Sequence, residues 1–293
     1  MSEQKLEFTG ERFVPECERE IWYEHYHRYL MACDLVAGKK VLDAACGEGY
    51  GSQLLASYAD KVVGVDIDQN SINHAKQRYG GQANLKFMTA DVLEVPIPDN
   101  SFDVVVSFET LEHLSQHQEL LNEFKRLLKP DGILIISTPD KAEYSDKTGF
   151  ENEYHVKELY RDEFKELLDN YFSQQVWLGQ KLMFTSTLWQ LDKPLNTVKW
   201  QHLEDEKTLR EQGLSYPPLY YVVVASNNDN SMATVNDSYI FTEQAESVYG
   251  HYHAVIRAHI KAEQDHQVLM EKQEKWLNHP VIGRLIRWLD RGK

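Results

Sequence analysis

Glu109, Glu112 and His113 close the stretch FDVVVSFETLEH (102–113), in which an apolar run ends in titratable side chains. They stand at i, i+3 and i+4. A helical turn starting near Glu109 would therefore set two carboxylates and an imidazole on one face. Such a group is equipped for proton transfer, because an imidazole that titrates near neutrality is oriented by the acids beside it. The plainer reading is a hydrogen-bond cluster, with His113 satisfied at a helix start and Glu109 answering the helix dipole. The second constellation is VLDAACGEGYGS (41–52). Here a strand runs into Asp43, and a loop with Gly47, Gly49 and Gly51 leads into a helix. Glycines in such a turn permit positive φ and let a ligand approach the backbone. The spacing is Asp43-x-Ala45-x-Gly47-x-Gly49, not G-x-G-x-x-G. Asp66 follows at the offset, about 20 residues, where a carboxylate can accept from ribose hydroxyls. Asp68 beside it could instead begin a helix, and the loop itself could be a structural turn.

Stepping outward from these residues, short apolar strand candidates occur at Lys40–Ala44, Val62–Asp66, Leu85–Thr89, Phe102–Phe108 and Gly132–Ser137. They are rich in β-branched residues, as expected of parallel strands covered on both faces. Helix candidates alternate with them at Ser52–Tyr58, Ser71–Tyr79 and Gln116–Leu128, the last ending at Lys129-Pro130-Asp131-Gly132. Val156–Tyr171 reads as a further helix, and Gln174–Gln180 and Leu219–Ser226 as two more strands. Strict alternation predicts an α/β fold with a doubly wound, seven-stranded, mostly parallel sheet and a C-terminal helical extension. The expected organisation is a cap segment at 1–38 and a catalytic domain at 39–226 with an insertion at 182–217. A polar linker at 227–238 and a helical tail at 239–293 follow. A helix is expected around Glu20–Val36, and Tyr26, His27 or Arg12 is expected to border the site.

The series Asp43-x-Ala45-x-Gly47-x-Gly49, Asp66-Ile67 and Asp91-Val92, on three successive strand ends, resembles the class I S-adenosylmethionine-dependent methyltransferases. Ala45 stands where that family usually has its first glycine. The resemblance implies that the glycine loop backs the methionine part of the cofactor and that Asp66 holds the ribose. Ile67 would pack on adenine, Asp91 would accept from its amino group, and Val92 would lie beside the ring. E-x-x-E-H looks like the divalent-metal site of quinone-ring O-methyltransferases and of small-RNA 3′-end methyltransferases. In the latter a second histidine follows the fifth strand, and His155 matches that place. Glu109, Glu112, His113 and His155 would then suit Mg²⁺ or Mn²⁺. Three readings stay open: metal-assisted transfer, a metal-free histidine base (His113 or His155), and a structural cluster. TGERFVP (9–15), EHYHRY (24–29) and FETLEHL (108–114) together look like methyltransferases found with bacterial surface-polysaccharide assembly enzymes. That likeness implies a saccharide hydroxyl as acceptor, on a nucleotide sugar or a glycan end. A small metabolite such as a quinone precursor is the alternative, or an assembly subunit of a glycan-synthesis complex.

The 293 residues carry 46 acids against 31 Lys and Arg, a net charge of −15, which disfavours a nucleic-acid substrate. Cys17, Cys33 and Cys46 have no C-x-x-C spacing and fit a reducing cytosol, so a cytoplasmic location is expected. From about Ile240 to Asn278 a heptad-spaced stripe (Val248, Tyr252, Val255, His259, Ala262, His266, Leu269) predicts a helix that pairs with a second copy or folds back on its own domain. The last segment, VIGRLIRWLDRGK, is basic and amphipathic; through 279–293 it could meet an anionic inner-membrane face or a glycan-assembly partner.

Overall fold

The computed structural model describes residues 20–192, 198–203, 208–211, 214, 216–228 and 235–284. Arg12, Cys17 and the 9–15 stretch lie outside them, as do Pro194, part of the linker and the basic residues 285–293. The chain divides into two compact units, Met1–Phe241 and Thr242–Lys293.

Among the described residues the first unit has nine strands: β1 (Lys40–Ala44), β2 (Lys61–Asp66), β3 (Leu85–Thr89), β4 (Phe102–Phe108), β5 (Leu128–Pro139), β6 (Gln174–Gln180), β7 (His202–Leu203), β8 (Leu209–Arg210) and β9 (Tyr220–Ser226). Seven of them form one sheet in the order β3-β2-β1-β4-β5-β9-β6, while β7 and β8 make a separate antiparallel pair in the insertion. β3, β2, β1, β4 and β5 are parallel to one another, and β9 runs antiparallel to both β5 and β6. Alternate residues of each strand enter opposite cores. Leu42, Val105, Leu134 and Val223 meet α4 (His117–Leu127) and α5 (Arg161–Asp169). Val41, Val104, Ile133 and Val222 meet α1 (Glu20–Val36), α2 (Tyr50–Ala56) and α3 (Gln69–Tyr79). Burial on both faces is why these strands read as unbroken apolar runs. The sequence order of strands reverses between β1 and β4, and at such a switch point the strand ends leave a crevice for a ligand.

Three expected elements differ. The Lys129–Gly132 turn is absorbed into the first half of β5, which begins at once where α4 ends. A register shift against β4 between Phe102 and Val104 accommodates it. The helix expected from Val156 begins only at Arg161, because Leu159 bridges in parallel to Asp140 and the Val156 and Lys157 amides donate to the Glu112 carbonyl. Residues 240–246 are not helical; the Phe241 ring lies 4.6 Å from Tyr23 and 5.5 Å from Tyr26, and Tyr23 Oη donates to its carbonyl.

The second unit holds α6 (Ser247–Asn278), 32 residues none of which is buried. No helix among the described residues is long and apolar enough to cross a membrane.

Candidate active site

The carboxyl ends of β1, β2, β3 and β4 share one rim of the sheet, since Ala44 pairs with Val65 and Ser107, and Asp66 with Thr89. Leaving β1, the chain takes left-handed conformations at Ala45 (φ +60°), Gly47 (φ +56°) and Gly49 (φ +93°). At Ala45 this costs about 1 kcal/mol relative to glycine. A side chain at Gly47 would project into open space, so only its φ demands glycine. At Gly49 a Cβ would also stand 2.7 Å from the Phe87 ring, because the loop is pressed onto α3 and β3. Asp43, beneath the loop, accepts from Tyr29 Oη (3.1 Å) and Ser52 Oγ (2.5 Å). Its complete burial pushes its pKa up to about 7, against the pull of those two hydroxyls.

Asp66 closes the rim on the far side of the glycines. Its two oxygens accept from the Gly47 and Asp68 amides, each at 2.8 Å, so one carboxylate ties the loop to the start of α3. Asp68 takes the role of helix cap, accepting from the Asn70 and Ser71 amides. Ile67 stands 72% exposed over the rim, an apolar side chain offered to something other than the core. Asp91 is exposed, with Oδ1 accepting from the Leu93 amide, and Val92 is buried beside it.

After β4 the expected helical turn does not start at Glu109. That residue is left-handed (φ +49°), and a single 3₁₀ turn covers Leu111–His113. The i, i+3, i+4 face is therefore lost, and Glu109 turns away from the other three residues. Its Oε1 accepts from Ser137 Oγ (2.5 Å) and lies 3.8 Å from the Arg28 guanidinium. Glu112, His113 and His155 do converge: one ligand atom from each lies within 4.8 Å of the others. His155 arrives because the 156–157 amides are pinned on the Glu112 carbonyl. The two imidazoles meet edge to face at 5.1 Å. His113 Nδ1 is 3.0 Å from the Tyr154 carbonyl, which can only accept, so Nδ1 carries the proton and Nε2 the lone pair. His155 Nδ1 is held the same way by Glu158 Oε1 at 2.6 Å. Carbonyl or carboxylate support behind an imidazole is the usual arrangement behind a metal-ligating or proton-accepting histidine.

Glu112 is buried. Oε2 accepts from Thr138 Oγ1 (3.1 Å), whereas Oε1 has no hydrogen-bond partner among the described residues. Burial, reinforced by the Glu109 charge, holds its pKa well above the carboxylate range. A buried acceptor left open in this way is costly unless a proton or a cation completes it.

Sequence reasoning did not single out Arg28, which is buried beside Glu109. It donates to Gln180 Oε1 (2.6 Å), lies 4.9 Å above the Tyr220 ring and faces Glu24, whose pKa burial pushes up to about 7 against the pull of Arg28. Tyr26 and His27, expected to border the site, pack on Trp22 and Phe241, while their neighbours Arg28 and Tyr29 reach Glu109 and Asp43.

Residues 42–136 match the family model of the methyltransferase domain. A "Probable S-adenosylmethionine-dependent methyltransferase" of Mycolicibacterium smegmatis is 36% identical over 170 residues, covering 56% of this chain and 64% of its own. The chain thus spans less than two thirds of that relative. A demethylmenaquinone methyltransferase of Clavibacter sepedonicus is 35% identical over 107 residues, 36% of this chain and 44% of its own. Among solved structures, the PH0226 protein of Pyrococcus horikoshii shares the fold, with a TM-score of 0.54 over 75% of this chain and 95% of its own at 18% identity.

Proposed function

We propose, for a chain that carries a class I S-adenosylmethionine-dependent methyltransferase domain, that it methylates a saccharide hydroxyl, on a nucleotide sugar or a glycan end. The observation that carries this is the buried, incompletely paired Glu112 beside two imidazoles whose Nδ1 protons are tied back. A sugar hydroxyl is a very weak acid, and such a cluster is what its deprotonation needs.

The cofactor would lie along the rim, its ribose on the lone pairs of Asp66 that the Gly47 and Asp68 amides leave open, its adenine against Ile67 and Val92 with Asp91 at the amino group. Gly47 and Gly49 keep the loop clear for the methionine part, and Asp43 holds the loop's underside. The acceptor oxygen would then be held on the His113 side of the rim. Where no cation is held on the imidazole nitrogens, the hydroxyl proton would pass to an Nε2 as the new C–O bond forms and the C–S bond breaks, with S-adenosylhomocysteine as the leaving group.

Glu112, His113 and His155 also fit a divalent cation, by donor type and by the open Glu112 oxygen. When bound, Mg²⁺ or Mn²⁺ would lower the hydroxyl's pKa and fix two neighbouring oxygens. Glu109 stands outside this group: its Oε1 accepts from Ser137 and lies 3.8 Å from the Arg28 guanidinium, and its charge raises the Glu112 pKa. The alternative acceptor, a quinone precursor or other small metabolite, draws on the likeness to the demethylmenaquinone enzyme.

The test is a panel of saccharides, nucleotide sugars and quinols with S-adenosylmethionine, read by release of S-adenosylhomocysteine and by product mass. Methylation of a sugar class alone is expected; a fall of at least tenfold after exhaustive chelation, reversed by Mg²⁺ or Mn²⁺, would put a cation on the imidazole nitrogens in place of the metal-free base. Turnover of quinols alone would end the saccharide reading, and undiminished turnover after chelation would end the metal.

α6 supports a second proposal, self-association. Val255, Ile256, Leu269, Met270 and Trp276 are each about half exposed on a 32-residue helix with no buried residue, and a helix of that kind needs a partner. In light scattering the full chain should be a dimer or larger, and V255D with L269D should make it a monomer. An unchanged mass would refute the pairing.

A further inference from the structure

Four rings form a continuous file from solvent to the histidine pair. Phe150 meets Tyr144 edge to face at 6.0 Å, Tyr144 stacks on His155 at 5.3 Å and 26°, and His155 meets His113 at 5.1 Å. The outer member, Phe150, is 54% exposed, and the same segment exposes Tyr154 and Tyr160. An exposed aromatic ring joined by this file to a candidate site offers apolar surface on which something can bind. Between residues 140 and 160 there are six Asp or Glu against three Lys, so the segment has a charge of 3 − 6 = −3. Of those lysines, Lys147 is paired with Glu143, and Lys141 lies over the Tyr160 ring.

We propose, resting on the saccharide reading above, that this file is a subsite for the sugar next to the one methylated, so that the acceptor is the end of an uncharged glycan chain and not a nucleotide sugar. The C–H faces of a sugar ring are apolar and pack flat on aromatic rings, while its hydroxyls donate to flanking carboxylates. Exposed Asp146, Glu151 and Glu153 supply such acceptors. The net negative charge of the segment disfavours a diphosphate there. The file is continuous with the Glu112–His113–His155 group, so a chain lying on it delivers its terminal residue to that group and its next residue to Tyr144 and Phe150.

The experiment takes the terminal sugar methylated in the panel and compares its mono-, di- and trisaccharide acceptors with its nucleoside-diphosphate form, on the full chain. KM should fall at least tenfold from mono- to disaccharide, with the nucleotide sugar no better than the monosaccharide. F150A should raise the disaccharide KM to near the monosaccharide value with kcat within twofold, and F150Y should restore the wild-type KM. A lowest KM for the nucleotide sugar, or a disaccharide KM unmoved by F150A, overturns the subsite and leaves saccharide methylation standing. If quinols turn over and no sugar does, both fall.

Discussion

Replacing His113 with alanine should lower kcat by about two to four orders of magnitude, the usual worth of a positioned proton acceptor. S-adenosylhomocysteine should still bind with Kd within threefold, because none of the Asp43, Asp66 and Asp91 contacts involves the imidazole. The size of the effect follows from the arrangement. Nδ1 is fixed by the Tyr154 carbonyl, so the ring presents Nε2 in one orientation and in one tautomer. Glu112 beside it is buried, and its Oε1 has no hydrogen-bond partner among the described residues. A smaller loss, under tenfold, with calorimetry showing intact cofactor binding, would mean that the cluster only shapes the rim. E158Q separates orientation from proton transfer: it weakens the support of His155 without touching either Nε2, and should reduce kcat less than H113A does.

Asp66→Ala should raise the Kd for S-adenosylhomocysteine by about 10² or more. Hydrogen bonds to a charged acceptor contribute about 1.5–3 kcal/mol each, and two ribose hydroxyls are expected on this carboxylate. The substitution also releases the Gly47 and Asp68 amides, so the glycine loop loses its tie to α3 as well as the ligand its anchor. Isothermal calorimetry reads the affinity, and a thermal melt separates it from unfolding. Asp91→Ala should cost less, because that side chain is exposed and competes with water for what it binds. A Kd for D66A within threefold of the wild type would remove the cofactor from this rim.

Much of this was legible from residue order. β1, β3, β4 and β6 occupy the expected residues, and the acids at 43, 66 and 91 were readable at strand ends, because a parallel strand buried on both faces leaves an apolar run that stops abruptly at its polar rim. What was not legible depended on distant partners. Glu109 looks like the first residue of a helical turn, yet Ser137 and Arg28, 28 residues after it and 81 before it, hold it in a left-handed conformation. Arg28 sits in a run of aromatic and histidine residues whose helical period alone does not say which side meets the sheet. The late start of α5 came from backbone bonds to Glu112 and Asp140, for which the local sequence has no signal.

The placement of β9 governs how the molecule must be made. The strand translated last in the sheet, Tyr220–Ser226, is not at its edge but between β5 and β6, hydrogen-bonded to both. Until it leaves the ribosome, β5 offers an open row of amides and carbonyls, and β6 has no neighbour at all. A nascent chain stalled before residue 220 therefore displays the kind of unpaired apolar edge that invites aggregation or chaperone capture. Once β9 docks, Gln180 and Tyr220 are locked opposite each other. The stretch between them then hangs from a closed clamp, so evolution can lengthen or recut it without reopening the sheet.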